Sequence, residues 1–309
     1  MRILRDHQYA QAADRGASAA IGNFDGVHLG HQYVIDRARR DTAPLGVLTF
    51  EPHPRQFFAP DAPPFRLMNA EARAHRLEKL GVDILYELPF NTALAGLSAE
   101  AFSREVLATG LGLSRVIVGS DFCFGRGRKG TAEMLAEFGQ RHGFAVDIVP
   151  IQHGDLGAIS STNIRKALSD GRPRDAAAML GHWHRIEGPV VHGEKRGRQL
   201  GYPTANMDLS GLHLPRLGVY AVLVDVLDGA HAGQYHGVAS LGIRPMFGGE
   251  APNLETFVFD FTGDLYGCDL SVALVEFLRP EMNFDGLEAL ITQMDGDSAR
   301  ARATLKALE

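Results

Sequence analysis

Short apolar runs alternate with amphipathic stretches along the first half of the chain. The runs have the length of buried strands and lie at 17–22, 46–50, 82–88, 116–118 and 144–150. The stretches have helical periodicity and lie at 32–40, 69–80, 98–109, 131–142 and 175–180, with a further helix beginning at Ser160. Strands that alternate with helices predict an α/β fold with a parallel, doubly wound sheet, whose binding crevice forms at the carboxyl ends of its strands.

The pattern changes near residue 185, after which short alternating or apolar segments are separated by Gly and Pro. These segments lie at 186–191, 219–226, 235–241, 254–261 and 270–277. Closely spaced strands of this kind predict an antiparallel β-barrel or sandwich. Helical periodicity then returns at about 285–294 and again at 298–308. We therefore predict two domains, an α/β domain at 1–183 and a β-barrel domain with a terminal helix at 184–309.

Composition limits the class of protein. The 309 residues are 45% hydrophobic and 22% charged, as in ordinary soluble proteins, and no apolar run reaches the ~20 residues of a membrane span. The two cysteines are far apart, and the N-terminus lacks the apolar region of a signal peptide. We therefore predict a cytoplasmic protein that has no membrane partner and is a monomer or a weak oligomer.

Charge narrows the class of ligand. The net charge of −6 argues against a long nucleic acid as partner. Basic residues nevertheless cluster locally, at 126–129 and 195–198. Local basic clusters on an acidic chain favour small phosphorylated ligands.

The stretch from Gly22 to His31, GNFDGVHLGH, joins the first predicted strand to the first helix through a glycine-punctuated turn. Such a junction gathers free backbone N–H groups at the positive end of a helix dipole, which suits a phosphate. His28 and His31 are three residues apart, so they share one face if a helical turn begins there. Two alternatives stay open for the pair: a zinc site that lacks an obvious third ligand, or capping and surface histidines.

A second candidate motif is the hydroxyl run Ser160–Thr162, which is followed by Arg165. Hydroxyl residues at a helix start are commonly plain caps. Hydroxyls and an arginine at a helix N-terminus also suit a triphosphate and its departing pyrophosphate. Taken alone, the motif allows both interpretations.

Together the motifs resemble a known family. The His28–His31 element and the helix start Ser161–Arg165 resemble the two ATP-binding signatures of the nucleotidyltransferase superfamily. The order of the domains and three further stretches are similar to the prokaryotic bifunctional riboflavin kinase/FMN adenylyltransferases: LTFEPHPRQFF at 48–58, VGSDFCFGRGR at 118–128 and GYPTAN at 201–206. The resemblance covers essentially the whole chain.

For the N-terminal domain, the resemblance implies a Rossmann-like nucleotidyltransferase that transfers AMP from ATP to FMN, giving FAD and pyrophosphate. The FMN phosphate is itself the nucleophile and is already ionised at neutral pH, so this step needs phosphate binders more than a strong base. The implied ATP-binding and catalytic set is His28, His31 and Arg165 at the reacting phosphates, with Gly22, Phe24, Ser161 and Thr162 beside them.

The resemblance also suggests an aromatic wall for the flavin of FMN. Phe58 and Phe124 are the predicted flanking rings, with Asp121 near the flavin or the nucleotide. Aromatic residues at strand ends are also common core residues, and that alternative stays open.

For the C-terminal domain, the resemblance implies ATP-dependent phosphorylation of riboflavin to FMN. Thr204 and Asn206 supply hard oxygen ligands suited to Mg²⁺, and Glu255 is implied as the acceptor of the ribityl hydroxyl proton. The basic, glycine-rich stretch 192–201 suits a triphosphate, and its implied ATP-binding positions are Gly193, Lys195 and Gly197. A lone glutamate on a strand is usually solvated, so the role of Glu255 rests on the resemblance.

The implied cofactor is Mg²⁺, the co-substrate is ATP, and riboflavin, FMN and FAD are substrate and products. Two alternatives are kept: only one of the two activities is retained, or the chain is a non-catalytic flavin-binding regulator. A class I aminoacyl-tRNA synthetase also has an HxGH loop. The acidic charge, the PTAN module and the lack of a KMSKS-like lysine loop argue against that class.

Overall fold

The structure is a computed structural model. It describes residues 1–150, 152–154, 157–192, 201–246 and 249–308. The chain divides into two compact units: Met1–Pro63 with Arg73–Ile159, and Pro64–Ala72 with Ser160–Glu309. The short segment Pro64–Ala72 therefore belongs to the second unit, although residues of the first unit flank it in sequence. The predicted functional boundary between residues 183 and 184 stays a prediction.

A parallel sheet forms the centre of the first unit. The strands in this part of the chain are β1 Arg2–Leu4, β2 Ser18–Ile21, β3 Leu45–Glu51, β4 Ile84–Pro89, β5 Arg115–Gly119, β6 Cys123–Phe124, β7 Gly130–Thr131, β8 Ala145–Val149, β9 His153–Gly154 and β10 Gly157–Ala158. Six of them form one sheet in the order β1-β4-β3-β2-β5-β8, and every neighbouring pair is parallel. The predicted α/β architecture is confirmed.

The helices of this part follow local signals in the sequence. Their bounds are α1 Leu29–Ala38, α2 Pro54–Phe58, α3 Ala70–Lys79, α4 Thr92–Gly96, α5 Ala99–Ala101 and α6 Ala132–His142, with 3₁₀ turns at His7–Tyr9, Ala12–Asp14 and Arg126–Arg128. The Oγ of Ser98 accepts the N–H of Ala101 at 3.1 Å and so caps α5, which continues as a π-helix over Phe102–Gly110. Gly143 ends α6 in the left-handed conformation, with φ at 85°.

The centre of the parallel sheet is fully buried. Every residue of β2 is buried, and β2 pairs with β3 on one side and with β5 on the other. The neighbouring Gly46 leaves room for the ring of Tyr86, because a Cβ on Gly46 would lie 3.0 Å from that ring. Small residues in the central strands thus admit a large aromatic side chain from β4.

The second unit is an antiparallel β-structure with helices. Its strands are β11 His184–Pro189, β12 Thr204–Asp208, β13 Gly218–Val226, β14 Gly233–Met246, β15 Gly249–Val258 and β16 Asp269–Arg279, and its helices are α7 Ser161–Ser169, α8 Pro173–Leu180 and α9 Leu287–Lys306. The sheet order is β11-β16-β13-β14-β15-β12. Just beyond β11, the N–H of Val191 donates to the carbonyl of Asn206 on β12 at 2.8 Å, so the sheet curls until its two edges meet. The predicted antiparallel barrel with a terminal helix is confirmed.

The terminal helix is longer than the sequence pattern indicates. The sequence pattern predicts a terminal helix at about 285–294 and shows helical periodicity again at 298–308, and the structure joins the two stretches in one continuous helix, α9. Tertiary contacts hold its middle: Asp297 is buried and accepts hydrogen bonds from Arg279 on β16 and from Gln293 one turn earlier. Ala301 and Leu305 are fully buried beyond it. Packing against the sheet therefore outweighs the helix-weakening effect of Gly296.

A buried ion cluster joins three elements of the first unit. The Nη2 of Arg73 on α3 donates to Glu51 at the end of β3 at 2.9 Å and to Glu87 on β4 at 2.8 Å. The Arg73 side chain is only 1% exposed, and that of Glu87 is 4% exposed. Arg5, which is largely exposed, also pairs with Glu87. Arg73 is therefore the buried cation that compensates these carboxylates.

We predict that Arg73→Met destabilises the first unit by about 3 kcal/mol or more, because it removes the buried cation of Glu87 and leaves that buried carboxylate with only the exposed Arg5. Arg5→Met is the matched control and is expected to cost about 0.5 kcal/mol, because its side chain is 70% exposed. Urea unfolding followed by circular dichroism measures both. Fluorescence of Trp183, the only tryptophan, follows the second unit. Equal shifts in the two variants would contradict this role of Arg73.

Candidate functional site

The loop after β2 is strained and tightly held. Phe24 and Val27 have φ values of 50° and 44°, in the left-handed region that a β-branched residue such as Val27 rarely adopts. Gln32 Nε2 donates to the carbonyl of Val27 at 2.9 Å, and Thr49 Oγ1 donates to that of Asn23 at 3.2 Å. Strain of this kind persists where surrounding contacts over-determine the backbone, and it clusters at ligand sites.

His28 and His31 are brought together at the N-terminus of α1. His28 is the N-cap residue, and its Nδ1 accepts the N–H of His31 at 3.2 Å. The two rings stack at a centroid distance of 3.6 Å and an angle of 13°. Gly30 leaves room for this packing, because a Cβ there would make a tight contact of 3.2 Å with the His28 ring. The cap and the stacking together fix the direction of both imidazoles.

His31 is a neutral side chain in this arrangement. Burial, and then the proximity of His28, hold the pKa of His31 well below its usual 6.5. Among the residues that the structure describes, its Nδ1 is buried and has no hydrogen-bond partner. A buried polar atom of this kind at a helix N-terminus is available to a ligand. The ring of Phe24, which is itself buried, lies 5.1 Å from His31.

The second motif starts α7 in the second unit. Ser160 is the cap, and its Oγ accepts the N–H of Asn163 at 3.3 Å. Ser161 and Thr162 follow in the first turn and retain solvent exposure. The Nε of Arg165 donates to the carbonyl of Phe65 at 2.7 Å, and its guanidinium lies 5.4 Å from the Phe65 ring. That this motif acts together with the histidines of α1 stays a prediction.

The two predicted flavin-wall rings have different environments. Phe58 at the end of α2 is 68% exposed, with its ring against Phe57 and Phe90. Phe124 is 7% exposed and packs in the core between Phe122 and Phe102. Phe58 thus has a free ring surface, whereas Phe124 matches the alternative of a core residue. The flavin role of both rings stays a prediction.

Asp121 lies on the turn that leads from β5 to the hairpin of β6 and β7. Its side chain is exposed. A Cβ on Gly119 would lie 2.9 Å from the carboxylate of Asp121, so Gly119 leaves it space beside the end of β5. The carboxylate therefore lies at the carboxyl edge of the parallel sheet.

Strand register brings the predicted residues of the second unit together. Asn206 on β12 pairs with Glu255 on β15, and Thr204 lies two residues earlier on β12. The Oγ1 of Thr204 donates to Oε2 of Glu255 at 3.5 Å. The Nδ2 of Asn206 donates to the carbonyl of Thr204 at 3.2 Å, and its Oδ1 accepts from Asn253 at 3.3 Å. Two neutral oxygens and a carboxylate therefore converge.

The glycine-rich stretch that is predicted to bind a triphosphate cannot be placed beside Thr204, Asn206 and Glu255. Gly193, Lys195 and Gly197 lie outside the described residues. Their predicted contact with ATP stays a prediction.

A pocket of about 220 Å³ opens beside Thr204 and Glu255. It lies between the sheet and the segment that includes α9, and its lining is mostly apolar or aromatic: Tyr202, Val219, Val238, Phe257, Met282, Phe284, Leu290 and Met294. Polar groups line one part of it: Ser240, Arg279, Glu281, Asp297 and Ser298. Such a lining suits a ligand with a large apolar part and a few polar groups.

Sequence analysis missed the residues that build the far wall of this pocket. Arg279 and Asp297 form an ion pair at 2.8 Å, with Asp297 almost fully buried. The hydroxyl of Tyr202 donates to Asp295 on α9, and burial followed by that hydrogen bond raises the pKa of Tyr202. The helical periodicity near the end of the chain was the available signal, but it does not show which face meets the sheet.

Comparisons with known proteins agree over nearly the whole chain. The family model for FAD synthetase matches residues 10–163, and the one for riboflavin kinase matches residues 180–305. A curated "bifunctional riboflavin kinase/FMN adenylyltransferase" of Pseudomonas fluorescens is 42% identical and covers 98% of this chain and 97% of its own. A protein of the same description from Escherichia coli K12 is 38% identical, with the same two coverages of 98% and 97%.

A solved structure supports the fold. It is titled as a macrolide-efflux protein of Streptococcus pneumoniae, is 33% identical, covers 97% of this chain and 98% of its own, and has a TM-score of 0.82. That title describes the other protein. Within the described ranges, no helix is both long enough and apolar enough to cross a membrane.

The low pKa of His31 predicts a loss of stability in acid. Unfolded His31 takes up a proton near its usual pKa of 6.5, whereas folded His31 stays neutral, so protonation favours the unfolded state as pH falls below that value. We expect His31→Gln to lose less stability than the unmodified protein between about pH 7.5 and about pH 5.5. Urea midpoints measure this, with the exposed His75→Gln as control. Identical pH slopes for the two variants would contradict the prediction.

Proposed function

The chain belongs to the bifunctional riboflavin kinase/FMN adenylyltransferase family, and from that premise we propose how its residues divide the two activities. It is a bifunctional transferase of FAD biosynthesis. The barrel of the second unit phosphorylates riboflavin with ATP to give FMN. The adenylyltransferase then joins AMP from ATP to FMN, giving FAD and pyrophosphate. The observation that carries the kinase assignment is the contact of Thr204 with Glu255 at the pocket.

In the kinase step, the pocket beside β15 takes the isoalloxazine ring, and the ribityl chain extends toward Glu255. The ribityl 5′-hydroxyl oxygen attacks the γ-phosphorus of ATP while its proton passes to the Glu255 carboxylate. A new O–P bond forms, and the bond from the γ-phosphorus to ADP breaks. The hydroxyl of Thr204 already lies 3.5 Å from Glu255, which supports this placement of the reacting groups.

In the adenylyl step, an FMN phosphate oxygen attacks the α-phosphorus of ATP, and the bond to pyrophosphate breaks. No proton has to be removed from the nucleophile. His28 and His31 contact the triphosphate from the N-terminus of α1, whose dipole favours the growing negative charge. Arg165, with Ser161 and Thr162 on α7, stabilises the departing pyrophosphate. The buried Nδ1 of His31 supports its role, because it is a polar atom that a ligand satisfies.

We propose Mg²⁺ as the cofactor of the kinase step, held by Thr204 and Asn206. Their hydroxyl and amide oxygens fit Mg²⁺, which binds few protein oxygens when phosphate oxygens complete its shell. When bound there by Thr204 and Asn206, Mg²⁺ would supply positive charge to the phosphates of ATP. Register places both residues beside Glu255, so the proposed ligands and base are adjacent.

We propose that the partners of the enzyme are the small molecules riboflavin, FMN and ATP, with neither a nucleic acid nor a membrane among them. We propose that it works in the cytoplasm as a monomer or a weak oligomer. The net charge of −6 supports the absence of a nucleic-acid partner.

Product analysis tests the function directly. Incubation of the protein with riboflavin and MgATP, followed by chromatography, is expected to yield both FMN and FAD. FMN without FAD would leave only the kinase activity. No conversion at all would favour a non-catalytic flavin-binding protein.

We predict that two single variants separate the activities. His31→Ala should lower FAD formation from supplied FMN by about 100-fold or more, because it removes a group that stabilises phosphate charge. Glu255→Gln should lower FMN formation by about 100-fold or more, because it removes the base. Each variant serves as the control for the other, since each should keep the remaining activity. Loss of both activities in a folded variant would refute this division.

Thr204→Val tests the magnesium proposal. We expect the kinase to lose at least about tenfold in activity and to require more Mg²⁺, because one ligand oxygen is removed without a change of shape. Thr256→Val is the matched control on β15, where Thr256 is buried and its hydroxyl has no partner among the described residues. Unchanged Mg²⁺ dependence in Thr204→Val would rule out Thr204 as a ligand.

A further inference from the structure

Arg165 is held through both its side chain and its main chain. Its Nε donates to the carbonyl of Phe65, as described above. Its main-chain carbonyl lies 3.1 Å from Nε2 of His213. His213 belongs to the segment 209–217 between β12 and β13, nearly fifty residues further along the chain. Arg165 is thus contacted by two segments that are distant in sequence.

His213 completes a closed ring of hydrogen bonds around Arg165. The N–H of His213 donates to the carbonyl of Arg66 at 2.8 Å, next to the Phe65 carbonyl that accepts from Arg165. A carbonyl only accepts, so Nε2 of His213 carries the hydrogen that it shares with the Arg165 carbonyl and with the Ser169 hydroxyl, also at 3.1 Å. The ring runs from Arg165 to Phe65 and Arg66, on to His213, and back to Arg165.

The segment 209–217 is itself anchored, so His213 is not a mobile contact. Leu212 forms a parallel bridge with Arg66. The N–H of Arg216 donates to the carbonyl of Leu168 on α7 at 2.9 Å. The guanidinium of Arg216 lies 4.7 Å from the ring of Phe277 on β16. The segment therefore connects the barrel sheet to the helix that carries Arg165.

We propose that His213 is a positioning residue for adenylyl transfer, acting through Arg165. The proposal rests on the role given above to Arg165. Arg165 follows the end of the FAD synthetase match at residue 163, whereas His213 lies inside the riboflavin kinase match at 180–305. A residue of the kinase region therefore sets the direction of an arginine that serves the other reaction. His213 does not line the pocket of the kinase site within the described part of the chain.

The central test compares substitutions of His213 in the full chain. His213→Ala should lower kcat of adenylyl transfer about tenfold with little change in KM for ATP. The reason is that a displaced Arg165 guanidinium stabilises the transition state less well. His213→Gln should restore kcat to within about twofold, because its amide N–H reaches the position of Nε2. His213→Asn, whose amide is too short to reach, should resemble His213→Ala. The kinase reaction of each variant, assayed with riboflavin and MgATP, should stay within about twofold of the unmodified protein.

A control variant separates this effect from general disturbance of the segment. Ser210 lies on the same segment and is exposed, and its hydroxyl donates to Asp208. Ser210→Ala should leave both activities unchanged. The inference is wrong if His213→Ala lowers both activities equally, if it lowers neither, or if His213→Gln fails to restore adenylyl transfer. Should His213→Ala fail to fold, the contrast between His213→Gln and His213→Asn decides.

A double-mutant cycle tests the path of the effect. If His213 acts through Arg165, His213→Ala should cost less than about twofold in an Arg165→Gln background. A further tenfold loss there would overturn the inference. The Arg165→Gln variant also separates failure of the Arg165 role from failure of the His31 role. If Arg165→Gln leaves adenylyl transfer intact, both Arg165 and His213 lose their roles, while the assignment of His31 stands on its own variant.

Discussion

The complete burial of β2 is the constraint on which the first site depends. A buried strand must have both of its backbone edges paired, and β2 meets this need between β3 and β5. Because those pairs are parallel, the loop that follows β2 leaves the sheet at the same edge as the loops that follow β3 and β5. The strained loop through Phe24 and Val27 then leads directly to the cap of α1. The position of the histidine pair therefore follows from the position of the buried strand that precedes it.

In the second unit, the register between paired strands brings the predicted site residues together. Antiparallel register pairs β12 with β15, so side chains that are fifty residues apart in sequence face one another. A shift of one residue in that register would move Thr204 and Asn206 to the other face of the strand. The bridge between Val191 and Asn206 closes the sheet at the same position. The proposed kinase residues are therefore brought together by register, whereas the histidine pair is placed by the loop that follows a buried parallel strand.

The segment Pro64–Ala72 provides backbone acceptors for residues that are distant from it in sequence. It packs with the second unit, where Asn69 donates to the carbonyl of Glu187 on β11 at 3.0 Å. The chain then continues into α3, whose Arg73 is buried in the first unit. The same segment accepts the hydrogen bonds of Arg165 and His213. Arg165 and His213, which are both proposed to serve adenylyl transfer, are thus tied to one short stretch of backbone.

The sequence alone determined what depends on local pattern. Five strands of each six-stranded sheet and the cap at Ser98 follow from periodicity and from turn residues, and the motifs predicted to bind ATP follow from resemblance. Tertiary structure decided what depends on distant partners. The three residues of β1 form a strand only because β4 offers an edge, and β12 is a strand because β15 pairs with a stretch that looks like a loop.

The same division holds for single residues. Only packing shows that Phe124 lies in the core while Phe58 is exposed, since both rings were predicted for the same role. Tertiary contacts, among them the ion pair of Asp297 with Arg279 and the burial of Ala301 and Leu305, explain why α9 runs unbroken past Gly296 and forms a pocket wall. Local preferences act over a few residues, and they are known from the sequence. Burial and pairing act between residues that the fold brings together, and their outcome is fixed when the chain is folded.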